Sequence, residues 1–259
     1  MSKVAVVRLD ALGDTLLSTP AIDVLCREVG AENVLVIASP GLGVVFGERP
    51  GHREVGPEGT DEEIAKHIKE FGADTVYVFS EKRRALRGAF LSGASERVGF
   101  DPGWTQPLRS LEVRRYLTVR FPIVNSLDSD SRYHEVERYC RLVAKGLSRK
   151  SVNGGRLKFF TQPRPEGGSS LSGPVGFQWA EKWLRDGWPP ELLTEIVSLL
   201  PDDALIFAPP QEREEALRRL PEGRHPHLIC CPGLKEYAAE LARCRYLVSI
   251  DTGAVHVAS

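Results

Sequence analysis

Short runs of apolar, β-branched residues recur along this chain, each followed by a stretch in which apolar positions return every three or four residues. An unbroken apolar run of strand length suits a strand covered on both faces, and its alternation with helices describes a parallel sheet wrapped by helices. The first half predicts strands at 3–9, 33–39, 75–80 and 97–100. Helices are predicted at 15–29, 61–71, 82–91 and 132–147. Asp61, Glu62 and Glu63 put negative charge where the dipole of the second helix favours it, and Gly146 is a stop signal for the fourth.

Between residues 161 and 174 the pattern breaks into glycine, proline and serine with hardly any apolar side chain, the composition of a linker. The alternation then resumes, with strands predicted at 175–179, 204–208, 227–231 and 246–251 and helices at 190–200, 211–220 and 234–244. The chain is therefore expected to be α/β, with an N-terminal Rossmann-like domain over 1–162, a linker over 163–174 and a C-terminal Rossmann-like domain over 175–259. Residues 253–259 read as the opening of a helix after a buried strand. A domain ending there would lack the elements that normally cover a sheet edge, so the second domain is expected to be incomplete at its C-terminus.

Charge and cysteine content narrow the function classes. The 259 residues carry 34 basic and 35 acidic side chains, a net charge of −1, so no global field draws the chain to nucleic acid. Its apolar runs, such as Val4 to Val7, are far shorter than the roughly 20 residues that span a bilayer. The first run ends at Arg8 and Asp10, unlike a signal peptide. Cys26, Cys140, Cys230, Cys231 and Cys244 are odd in number and contain no C-x-x-C pair, which predicts reduced thiols and a cytoplasmic location. His225 and His227 precede Cys230 and Cys231, but on a strand the adjacent cysteines would point to opposite faces and spoil a tetrahedral zinc site, so no metal is expected.

Two segments carry chemistry. Residues 8–20, Arg-Leu-Asp-Ala-Leu-Gly-Asp-Thr-Leu-Leu-Ser-Thr-Pro, run from the end of the first strand into a helix, where ligands bind in open α/β sheets. Gly13 permits close backbone approach, Asp14 stands at the helix start, and Thr15 follows it. The residues alone leave open whether Asp14 is a site carboxylate or an ordinary helix cap. Residues 249–256, Ser-Ile-Asp-Thr-Gly-Ala-Val-His, repeat the strand-to-helix transition in the second half. Backbone N–H groups there would favour an anion, with a Thr252 hydroxyl, space at Gly253 and His256 one turn on, although a capped helix with a half-buried histidine fits equally. Because the segments hold equivalent places in the two halves, closure about the linker would present both across one cleft.

Residues 8–20 resemble the N-terminal motif of the ADP-heptose:lipopolysaccharide heptosyltransferase family, glycosyltransferase family 9, and Asp251-Thr252-Gly253-Ala-Val-His256 is similar to its Asp-Thr-Gly-x-x-His signature. Residues 84–100, the tripeptide His134-Glu135-Val136 and the pair Trp188-Pro189 resemble further elements, so the likeness runs nearly the whole chain. In the family's pattern a lysine stands two residues before Trp-Pro to meet the donor phosphates. Here that position is Asp186, and Lys182 or Arg185 is expected to take its place.

The resemblance implies the two-domain fold called GT-B and a metal-independent, inverting transfer of heptose or a related sugar from an ADP-sugar, with no cofactor. Asp14 would be the general base. Gly13, Thr15, Lys182, Arg185, Asp251, Thr252, Gly253 and His256 would hold the donor. A glycolipid or glycan acceptor at the inner membrane surface would be gripped by Arg83, Arg84 and Arg87, residues that also fit a plain solvated helix face. Alternatives are transfer from another nucleotide-sugar, a catalytically silent nucleotide-binding module, and a nucleotide-sugar epimerase on the same architecture.

Overall fold

The computed structural model describes residues 2–46, 50–122, 134–155, 157 and 173–258. The chain divides into two compact units, Met1–Phe160 and Thr161–Ser259. Of the linker predicted over 163–174, residues 163–172 lie outside the described part, as do 132 and 133 of the predicted fourth helix.

The first unit is a six-stranded parallel sheet of β1 (Val4–Arg8), β2 (Val34–Ala38), β3 (Gly51–Glu54), β4 (Thr75–Val78), β5 (Glu96–Asp101) and β6 (Val119–Pro122). Their order is β3-β2-β1-β4-β5-β6, the order of a doubly wound dinucleotide-binding sheet. Helices α1 (Leu12–Val29), α2 (Asp61–Phe71), α3 (Arg83–Leu91), α4 (Pro107–Tyr116) and α5 (Glu135–Gly146) connect and cover it. Every residue of β1 and β2 is buried, which is why those strands read as continuous apolar runs. Ala5, Val7, Ile37 and Val76 pack with Ile64 and Ile68 of α2, Leu86 of α3 and Val113 of α4 in one core layer. The alternate strand residues face the opposite side, and α1 and α5 pack against one another.

Local chemistry fixes the helices. Thr60 caps α2 by accepting from the Glu63 N–H, and Gly72 ends it in the left-handed conformation. Pro20 lies inside α1 and cannot donate to the Leu16 carbonyl four residues back. The Thr19 hydroxyl donates to that carbonyl at 2.7 Å instead, so the helix continues through the proline.

The second unit holds β7 (Val175–Gln178), β8 (Leu205–Phe207), β9 (Leu228–Ile229) and β10 (Tyr246–Val248), all parallel in the order β10-β7-β8-β9. Counted from β7 this repeats the arrangement of the first four strands of unit one. Helices α6 (Lys182–Arg185), α7 (Pro190–Ser198), α8 (Arg213–Arg219), α9 (Leu234–Leu241) and α10 (Gly253–Ala258) join them. Phe177, Trp179, Trp183, Leu193, Val197 and Ile206 form the core. Both units are Rossmann-like, as the sequence predicts. Strands β3 and β6 and helices α4 and α6 are additions to that prediction.

Candidate functional site

Strand order in unit one reverses direction of growth between β1 and β4, and the carboxyl ends of these neighbours form the crevice where such sheets bind ligands. A pocket of about 290 Å³ lies there, lined by Arg8 and Asp10 at and just beyond the end of β1, Asp14 of α1, Phe79 and Glu81 beyond β4, Phe100 of β5, and Glu135, Arg138 and Tyr139 of α5. Arg8 organises it. Only 3% exposed, it donates through Nη1 to the Phe79 carbonyl at 2.7 Å and places its guanidinium 4.9 Å from the centre of the Tyr139 ring. Its nitrogens also lie 3.1 Å from Asp10 and 3.4 Å from Asp14. The buried Nε–H has no hydrogen-bond partner among the described residues.

Asp14 is the third residue of α1. The N-cap is Ala11, which makes no side-chain cap bond, so the cap reading of Asp14 does not hold. Its side chain is half exposed, anchored on one side by Arg8 and open on the other. Burial pushes the Tyr139 phenol up to about 12, with Glu135 and Asp14 adding to the shift and Arg8 opposing it. Tyr139 therefore stays neutral at physiological pH. Arg138 pairs with Glu135, lies 4.0 Å from Glu81 and sits 5.2 Å over the Phe100 ring. Four carboxylates thus face two guanidiniums that are already engaged by them, over walls of three aromatic rings.

In unit two the corresponding reversal falls between β7 and β10. The α6 turn after β7 is pinned by Trp183, whose indole donates to the Gln178 carbonyl at 3.0 Å and stacks on Phe177 at 5.9 Å. Trp188 packs edge-on against Trp183 at 5.2 Å. That anchoring brings Lys182 to the turn after β10, where its ammonium donates to the Asp251 carbonyl and lies 3.9 Å from the Asp251 carboxylate and 3.8 Å from Asp186. Beside it the Ser249 and Thr252 hydroxyls are 3.3 Å apart. Asp251 is 90% exposed at its side chain. Gly253 and His256 lie on α10, both partly buried.

The expected residues separate clearly. Lys182 rather than Arg185 meets the Asp251 turn; Arg185 is exposed and only slightly offsets the upward push that burial gives the Glu212 carboxyl. Gly13 and Thr15 are buried in α1, and the Thr15 hydroxyl donates to the Ala11 carbonyl, so this threonine serves the helix rather than the pocket. Arg83, Arg84 and Arg87 do not line the pocket. Arg83 pairs with Glu112, Arg87 lies 2.9 Å from Asp61, and Arg84 donates to the carbonyls of Gly56, Pro57 and Gly59, fastening the loop before α2. The two motif segments are also not in equivalent places: one follows the first strand of its sheet, the other the fourth. Glu81, Arg138 and Tyr139 escaped the sequence reading, and Arg8, which heads the first motif, was given no role there. Glu135 lies within the tripeptide noted there, and Arg138 three residues on shares its helix face, which was the available signal.

The two units define a pair of Rossmann-like domains. No family model matches the chain, and no curated protein matches it. Among solved structures, it is similar to E. coli heptosyltransferase WaaC with ADP, at 21% identity over 99% of this chain and 83% of that one, with a TM-score of 0.67. The E. coli ADP-heptose lipopolysaccharide heptosyltransferase II matches at 20% identity over 99% and 81%, with a TM-score of 0.71. The UDP-GlcNAc 2-epimerase of Neisseria meningitidis bound to UDP-GlcNAc matches at 13% identity over 98% and 78%, with a TM-score of 0.50. At these identities the likeness is one of fold.

Proposed function

We propose that the chain is a glycosyltransferase that moves a sugar, heptose or a close relative, from an ADP-sugar to a hydroxyl of a glycan or glycolipid acceptor. The observation that carries this reading is Asp14: a half-exposed carboxylate at the mouth of a polar pocket, held by a buried arginine at the sheet's ligand-binding crevice. In the proposed step Asp14 takes the proton of the acceptor hydroxyl as its oxygen attacks the anomeric carbon, and the bond from that carbon to the nucleoside diphosphate breaks with inversion. Aromatic walls and a surplus of carboxylates suit an uncharged, hydroxyl-rich acceptor group.

Negative charge develops on the departing diphosphate. Lys182, the Thr252 hydroxyl and the backbone at Gly253 are the groups we assign to it, an electrostatic role that needs no metal. Asp251 and His256 are assigned to the remainder of the donor. Asp186, 3.8 Å from Lys182, favours a second reading in which the lysine is already neutralised and the chain binds nucleotide without transferring sugar. Calorimetry with ADP separates these assignments from their alternatives. Lys182→Ala and Thr252→Ala are expected to weaken ADP binding by about tenfold or more, the scale of a charge-assisted hydrogen bond. Unchanged affinity in both removes the phosphate site. A panel of ADP-, GDP- and UDP-sugars, with products analysed with and without acceptor, distinguishes transfer from epimerisation and names the donor.

A further inference from the structure

Tyr139 brings to the pocket of unit one a hydroxyl that the rest of the chain leaves unanswered. Glu135, Arg138 and Tyr139 stand three and four residues apart on α5, so all three reach the pocket from one helix face. The Tyr139 ring is fixed in place, its centroid 5.0 Å from that of Phe79 and 5.8 Å from that of Phe100, and the residue is only 5% exposed. Its phenol feels the charges of Arg8, Glu135, Asp14 and Arg138, all of them lining groups, which puts the hydroxyl at the pocket wall. Among the described residues that hydroxyl makes no hydrogen bond, and unlike the Arg8 Nε it is not sealed from the pocket. Phe79 and Phe100 already supply an apolar wall, so a phenol in place of a third phenyl adds only a polar group. Once a ligand displaces water from the pocket, a donor left unpaired there is costly, and the ligand must answer it.

The rest of the lining dictates what that ligand must offer. Asp10, Asp14, Glu81 and Glu135, once ionised, only accept hydrogen bonds. Both guanidiniums are committed: Arg8 donates to the Phe79 carbonyl and lies against Asp10 and Asp14, while Arg138 pairs with Glu135. The wall is thus rich in acceptors and poor in free donors, and Tyr139 carries the only hydroxyl among the lining residues. A sugar hydroxyl both donates and accepts, so two neighbouring hydroxyls answer both kinds of group at once. Arg8 sets the spacing, its guanidinium 4.9 Å from the centre of the Tyr139 ring and 3.4 Å from the Asp14 carboxylate. We propose that Tyr139 fixes the acceptor sugar, its hydroxyl donating a hydrogen bond to an oxygen next to the hydroxyl that Asp14 deprotonates. Resting on the sugar-transfer reading, this role narrows the acceptor to a neutral sugar with two adjacent hydroxyls, because a sugar lacking the second would leave the phenol unpaired.

Tyr139→Phe removes the hydroxyl and keeps the ring with its contacts to Phe79, Phe100 and Arg8, so an unchanged thermal midpoint is expected. The first readout needs no turnover. In full chain carrying an isotope label at tyrosine Cζ, the Tyr139 resonance is assigned by its loss in Tyr139→Phe, and the methyl glycosides of mannose, glucose and galactose are titrated in. At least one is expected to shift that resonance and to bind Tyr139→Phe about three- to tenfold more weakly, with ADP affinity unchanged. Among monodeoxy analogues of that glycoside, one should bind wild type and variant alike, because it lacks the oxygen that the phenol meets. A resonance that none of the three glycosides shifts, or a variant that binds them as tightly as wild type, overturns the proposal. The second readout is kinetic: with the bound glycoside as acceptor, its KM should rise in Tyr139→Phe by the same factor. Transfer with an unaltered acceptor KM would overturn the role of Tyr139 and leave the transfer reading standing. Glycoside binding at Tyr139 without transfer from any donor of the panel would sink the transfer reading and leave the hydrogen bond in place.

Discussion

Arg8 heads the first motif, yet how much of this site that one side chain makes shows only in the fold. A cation 3% exposed needs its charge answered locally, and Phe79, Asp10, Asp14 and Tyr139 do so from three separate elements. Arg8→Leu would leave the Phe79 carbonyl without its partner and Asp10 with only Lys82, 3.8 Å away. The expected loss is about 3–5 kcal/mol of stability in denaturant titration, and a loss under about 1 kcal/mol would contradict the packing described. Asp101 offers a prediction in pH. Burial opposes its charge, yet the Ser110 hydroxyl, the Gly103 amide and Arg120 together hold its carboxyl below the usual aspartate value. A lowered folded value means that the group stabilises above the unfolded pKa of about 3.9 and that this contribution fades as pH falls through the lower folded value. Asp101→Asn should therefore cost about 1–2 kcal/mol at pH 7 and progressively less in acid, whereas an equal cost at both would refute the assignment. Asp14 was legible as a candidate because its motif sits at a strand end, and Lys182 as one of two candidates for the lysine position before Trp188-Pro189 that the resemblance pointed to. Arg8, Arg138 and Tyr139 were not, because their roles arise from distances between β1, β4 and α5.

At the scale of elements, patterning revealed what is buried and missed what lies at the margins. Strands β1, β2 and β4 announce themselves because helices cover both faces. Edge strands β3 and β6, Gly-His-Arg-Glu and Val-Arg-Phe-Pro, are only partly covered and carry no continuous apolar run. Helix α4 was missed for a related reason: its rotation is set by a buried Ser–Asp hydrogen bond rather than by its leucines. Helices α2 and α3 were read nearly to the residue, but their close approach at Gly88 was not. A Cβ there would meet Ile64 at 2.6 Å and the Asp61 carbonyl at 3.1 Å. Gly88→Val is expected to cost about 1–3 kcal/mol and to lower the thermal midpoint, and a neutral result would mean that the two helices are not pressed together.

Across the whole molecule, two separate cores underlie two sheets whose first four strands share one order. Each unit should unfold as its own cooperative block, so calorimetry is expected to resolve two transitions, with Gly88→Val moving only the one belonging to unit one. One transition shifted as a whole would show that the units are energetically fused. Sugar transfer itself is tested most directly at Asp14, by comparing wild type with Asp14→Asn for both ADP affinity and turnover of the donor that the panel identifies. The proposed base predicts a turnover loss of about a hundredfold or more with ADP affinity within about twofold of wild type. Turnover that survives the substitution would contradict it.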